Sequence, residues 1–124
     1  MTNQIQSSKS KNIKAYDLSE RTAIFGESVI DFVRYLGVGT INRPIISQLI
    51  RSSTSIGANY MEADGAESKK DFIHKIAICK KESKETMHWF RMLAKANPEV
   101  KDKCRLHWKE AHELALIFSA ICKK

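Results

Sequence analysis

A chain of 124 residues and 14.1 kDa has room for one domain, and at this size it can bury roughly two-thirds of its unfolded surface in a single core. Hydrophobic residues at 43% and charged residues at 28%, with a net charge of +7, describe a water-compatible globular domain and exclude wholesale disorder. No apolar run approaches the roughly 18 residues of a membrane span, and the opening MTNQIQSSKSKNIK lacks the apolar stretch of a secretory signal, so a cytoplasmic location without a membrane partner is expected.

Residues 1–16 are polar, rich in Ser, Asn, Gln and Lys, and without apolar period; they read as a disordered basic tail. Asp17 and Glu20 then form a capping-box-like start, and Leu18, Phe25, Val29, Phe32 and Leu36 recur at helical spacing as far as Gly37. Pro44, favoured in a first helical turn, opens a second helix whose apolar face runs through Ile45, Leu49, Ser53, Ile56 and Tyr60 and ends near Gly65. Ser68 with Asp71 starts the longest helix, with Phe72, Ile76, Cys79, Ser83, Met87, Phe90 and Ala94 on one face. Asn97-Pro98 stops it and restarts the chain: Asn97 can cap, Pro98 suits a first helical position, and Val100, Cys104, His107, Ala111, Leu114, Phe118 and Ile121 line a fourth helix. Strand signals are absent. The expectation is an all-α, antiparallel up-down four-helix bundle over residues 17–124, preceded by the tail.

Charge is unevenly spread: +3 over residues 1–16, −2 over 17–39, zero over 40–65, +4 over 66–97 and +2 over 98–124. A field of that sign favours an anionic partner such as RNA, DNA or an acidic protein, although it also serves solubility. On the third helix Lys70, Lys81, Lys84, His88, Arg91 and Lys95 share a face well to one side of the apolar stripe. The last five span about 20 Å at about 1.5 Å per residue, enough to meet several phosphates, and a solvated lysine face is the plain alternative. On the fourth helix Lys101, Arg105, Trp108 and His112 share a stripe off the core face. An indole among cations can stack on an unpaired base, or it can anchor a subunit interface, as can Trp89.

Arg51, Ser55, Asn59 and Glu62 make a polar seam along the second helix, and such seams order helix packing. Arg51 and Glu62 are expected to pair with Lys75, Glu82 or Glu85 of the third helix, so that Ala at Asn59 or Glu62 would strand a buried partner at a cost of roughly 1–3 kcal/mol. Ion pairing is a commoner use of Glu62 and Glu82 than catalysis. Signatures of catalysis are missing: there is no HExxH, no glycine-rich phosphate loop, no nucleophile elbow and no Glu-x-x-His pair on two helices. Cys79, Cys104 and Cys122 form no CxxC pair and read as reduced, mostly buried thiols, and His74, His88, His107 and His112 lack metal-ligand spacing, with His107 the one expected to be buried. Neither a metal, a cofactor nor an enzymatic activity is expected.

The run from Gln48 to Ala63 (QLIRSSTSIGANYMEA), with Ser68 to Phe72 and Glu82 to Phe90 downstream, resembles a bacterial four-helix bundle family whose members include proteins encoded in intervening sequences of 23S ribosomal RNA genes. The resemblance spans about residues 17–122 and rests on three blocks in order; where many members carry Gly, this chain has Ala63. It implies an antiparallel bundle assembled as a ring-like homopentamer. The fold it implies is similar to that of the accessory variability proteins of diversity-generating retroelements, basic pentamers that bind nucleic acid and a reverse transcriptase. A homo-oligomer binding RNA or DNA is therefore the leading expectation, with a reverse transcriptase or other protein as a candidate partner. A protein-interaction scaffold with no nucleic-acid role is the alternative.

Overall fold

The computed structural model describes residues 17–124, and the basic tail expected over residues 1–16 lies outside them. Four helices follow in order: α1 (Leu18–Val33), α2 (Asn42–Asp64), α3 (Lys69–Ala96) and α4 (Lys101–Cys122), with a single 3-10 turn at Pro98–Val100 before α4. No strand occurs among the described residues, and no described helix is long and apolar enough to cross a membrane. Short connections make successive helices antiparallel, giving the up-down bundle that the apolar periods require.

Two of the expected starts are built from side-chain caps: Asp17 accepts from the Glu20 amide at 3.1 Å and Ser68 from the Asp71 amide at 3.0 Å. The core takes one stripe from each helix. Phe25 and Val29 of α1, Leu49 and Ile56 of α2, Ile76, Phe90 and Leu93 of α3, and Leu114 and Phe118 of α4 are all buried. Small side chains set the close approaches. Between α1 and α2, Gly57 lies so near Thr22 that an added methyl would sit 3.3 Å from the Thr22 hydroxyl. Between α2 and α3, the buried hydroxyls of Ser52 and Thr86 lie 2.9 Å apart, and Thr86 also donates to the Glu82 carbonyl at 2.8 Å. On the α1–α4 side the space is filled by rings. His107 stacks on Phe32 (centroids 5.0 Å apart) and Phe90 (5.2 Å), so it is half-buried within an aromatic cluster rather than fully enclosed.

Two boundaries depart from the expected ones. α1 stops at Val33 instead of running to Gly37, since the Gly37–Gly39 stretch is poor helix former, and Leu36 still packs on the core from the turn. Asn97 does not cap α4. Its amide side chain donates to Asn42 Oδ1 at 2.9 Å and accepts from Asn42 Nδ2 at 3.0 Å, while its amide N–H closes α3 onto the Leu93 carbonyl at 2.9 Å. The reciprocal amide pair joins the start of α2 to the end of α3, where Asn97 leaves the helical conformation and the 3-10 turn precedes α4.

Candidate nucleic-acid interface

Acids and cations in this bundle are sorted by helix face. Arg51 of α2 reaches across to α3, where it contacts Glu82 at 3.2 Å and also bonds Glu85; Lys75 of α3 reaches back to Glu62 of α2 at 2.6 Å. Glu82 is only 8% exposed, so this pairing supplies the cation that a buried carboxylate requires. The indole N–H of Trp89 donates to the same Glu85 carboxylate at 3.1 Å, which makes Trp89 part of the α2–α3 seam. Burial alone would raise the Glu85 carboxyl, but hydrogen bonds from Trp89 and Arg51, and the Arg51 charge, outweigh it and hold the group below the usual carboxylate range. Arg21 of α1 grips α4 in the same way, with Glu110 bound through two nitrogens at 2.8 Å each and Glu113 at 3.1 Å. The hydrogen bonds that Arg21 donates to Glu110 are the main reason its guanidinium is held above its ordinary value.

The remaining seam residues are quieter than the sequence suggested. Ser55 donates to the Arg51 carbonyl at 2.6 Å and Asn59 to the Ser55 carbonyl at 2.9 Å, both within α2, and Glu62 is exposed. Neither Asn59 nor Glu62 therefore holds a buried partner on another helix, and the expected cost of 1–3 kcal/mol for replacing either falls below about 1 kcal/mol.

The cations of the third and fourth helices behave differently. Lys70, Lys81, Lys84, His88, Arg91, Lys95, Lys101 and Arg105 are all exposed, and none forms an ion pair with a described residue. Helix geometry brings most of them together. The Phe90–His107 ring contact fixes the register of the α3–α4 hairpin. One turn toward the connection, Arg91 and Lys95 come level with Arg105 and Lys101; one turn away, His88 and Lys84 come level with Trp108 and His112. At about 100° per residue, both rows fall on the outer edge of the same α3–α4 groove. Lys70 shares the α3 face but lies about 16 Å below Lys81, apart from this cluster.

Trp108 sits between the rows. It is half-buried, packs in part against the core and stacks on His112 with centroids 5.1 Å apart and planes 24° off parallel. The acids nearest in sequence, Glu82, Glu85, Glu110 and Glu113, are drawn away to Arg51 and Arg21, leaving Glu99 and Asp102 at the turn. Sequence reasoning named the two cationic stripes but treated them as separate; the Asn97-Pro98 connection was the signal that they are two sides of one groove. It also missed Arg21, whose partners were announced by the Glu110/Glu113 pair, one turn apart on α4. No group of three or more His, Cys, Asp or Glu side chains converges on a metal-sized site among the described residues.

The fold and this surface define a class: a small antiparallel helical bundle whose inner seams are ion-paired and whose α3–α4 face is basic. The model of the 23S rRNA-intervening sequence protein family matches residues 42–120, which span α2, α3 and nearly all of α4, and the chain belongs to that family. Among solved structures it is similar to a protein of unknown function from the S23 ribosomal protein family of Bacteroides thetaiotaomicron VPI-5482, with 27% sequence identity and a TM-score of 0.74 over 86% of this chain and 98% of that one. No curated protein matches it.

Proposed function

We propose that the protein is a non-enzymatic, cytoplasmic binding module that holds RNA or DNA on the α3–α4 face and works as a homo-oligomer. One observation carries the nucleic-acid reading: the exposed cations Lys84, Arg91, Lys95, Lys101 and Arg105 line both sides of one groove, while Glu82, Glu85, Glu110 and Glu113 are bound to Arg51 and Arg21. Phosphate contacts need cations that are free to exchange counterions, and these are free, whereas Arg21, Arg51 and Lys75 are committed to the fold. The family's name, which refers to 23S rRNA, points the same way.

Assembly is supported from the opposite side of the bundle. The α1–α2 face carries the exposed apolar side chains Ile30 and Met61 along a shallow groove floored by Ala23, Gly26, Gly57 and Ala58 and edged by Glu20 and Glu27. A second copy bound there would cover apolar surface and leave the α3–α4 faces outward; five copies, the number the family resemblance implies, would multiply the positive field on one particle. Light scattering then reports a multiple of 14.1 kDa, and a clean monomer at micromolar concentration refutes assembly.

The test of binding is its salt dependence. Affinity for RNA should fall steeply as salt rises, and changing Lys84 and Arg91 together to Glu should weaken binding across unrelated sequences and flatten the salt slope with helicity and mass unchanged. If the unmodified protein binds neither RNA nor DNA near physiological ionic strength, the nucleic-acid reading fails and the scaffold reading replaces it.

A further inference from the structure

We infer that the α3–α4 groove selects unpaired nucleic acid: a single strand lies between the two cationic rows and adds a base to the Trp108–His112 stack. This rests on the nucleic-acid reading of the same face and goes beyond it by naming the form of nucleic acid bound.

Phosphate-binding cations alone do not distinguish a duplex from a strand. The groove holds more than cations. The Trp108–His112 stack lies level with Lys84 and His88 of the opposite row, halfway along the basic face, and is partly exposed there. Aromatic rings set among backbone-binding cations are the arrangement by which proteins hold single strands, because every unpaired base offers a π-face. In a duplex those faces are covered by neighbouring bases, so a duplex can use the rows but not the stack. The rows flank the groove on adjacent packed helices, so a strand lying along it can meet cations on both sides while one base turns inward to the stack.

The protein carries an internal comparison. Its other indole, Trp89, is also half-buried beside a histidine, with ring centroids 4.8 Å apart, but its N–H is bound to Glu85 and it faces the ion-paired α2–α3 seam. The cations there are already paired with carboxylates, so Trp89 is unsuited to the same task. The remaining ring clusters are committed to packing: Phe25 and Phe90 are buried, and Phe32 packs against the core.

In a Trp89→Phe background Trp108 is the one indole left, so its fluorescence, excited beyond the tyrosine band, reads contact at the groove directly. A short single strand should quench it, and the same sequence annealed to its complement should bind about tenfold more weakly with little quenching. Trp108→Ala should remove the preference for the single strand while the salt slope, set by phosphates, is retained; Trp108→Phe should restore part of the preference. Salt-dependent binding that is equal for strand and duplex, with the indole unquenched, overturns the inference and leaves the nucleic-acid reading standing. Loss of all salt-dependent binding overturns both. Quenching is measured with Trp108 in place, so the test survives even if Trp108→Ala fails to fold.

Discussion

Replacing Arg51 with Ala should expose how much of this bundle's stability resides in one cross-helix cation. The Arg51 side chain is 44% exposed, Glu85 33% and Glu82 only 10%, so the consequences for the two acids differ. Glu82 is left as a buried acceptor without its charged donor, which costs about 1–3 kcal/mol; the more exposed Glu85 pair adds less than about 1 kcal/mol. A loss of about 2 kcal/mol is a large share of the roughly 5–15 kcal/mol of a typical domain. It corresponds to a fall in Tm of about 8 °C for a chain of about 100 residues. The pH dependence has a definite sign. Glu85 is held below its ordinary value, so its contribution is complete above the unfolded pKa near 4.3 and is lost as pH falls through the folded value. The Tm gap between the unmodified protein and Arg51→Ala should thus be full at pH 7 and narrower at about pH 3.5. Thermal melts by circular dichroism at one fixed protein concentration measure both. An unchanged Tm at pH 7, or a gap that persists undiminished in acid, refutes the reasoning.

Asn97→Ala removes one half of a reciprocal amide pair at a site 7% exposed and should cost about 1–3 kcal/mol by denaturant unfolding, whereas Asn59→Ala and Glu62→Ala should each cost less than about 1 kcal/mol. Thiol chemistry should be selective. Burial pushes Cys79 up to about 12 and Cys104 up to about 11, so a maleimide at neutral pH should modify Cys122 in the native protein and reach the other two only on unfolding, as mass spectrometry of digested peptides will show.

The fold was readable because each helix announces itself twice, by its apolar period and by its ends. Asp17, Ser68 and Gly65 sit at helix boundaries, and Leu49, Ile56, Phe90 and Phe118 fall on the buried stripes that the 3.6-residue period assigns. Asn97 shows where local rules stop. Its sequence context fits an N-cap, but Asn42 lies 55 residues earlier, and a contact across that separation leaves no local trace. The same limit explains the interface. Periodicity places Lys84 and Arg105 on the faces of their own helices, and only the hairpin register makes those faces adjacent. Arg51 was legible because its α2 face carries few other charges and its acids lie together one turn apart on α3.

The basic face is also a place where stability and binding pull in opposite directions. Lys81, Lys84, His88, Arg91 and Lys95 are spaced three and four residues apart, the spacing at which like charges on a helix repel, and Arg105 and Lys101 face them across the groove. A surface shaped only for stability would place Glu among them, since Glu four residues before Lys stabilises a helix by about 0.2–0.5 kcal/mol per pair. This protein has acids to spare for such pairs, yet Glu82, Glu85, Glu110 and Glu113 are all spent on the inner seams. The double change of Lys84 and Arg91 to Glu relieves the repulsion and creates a Glu-to-Lys pair with Lys95. It should therefore raise the Tm by a few degrees at low salt, about 1 kcal/mol, and the gain should shrink at high salt as screening removes the repulsion. The same variant is the one expected to lose nucleic-acid binding. A more stable protein that no longer binds marks the face as maintained for a partner against the interest of the fold; a variant that melts lower than the unmodified chain shows that these cations support the bundle, and the argument from charge sorting fails.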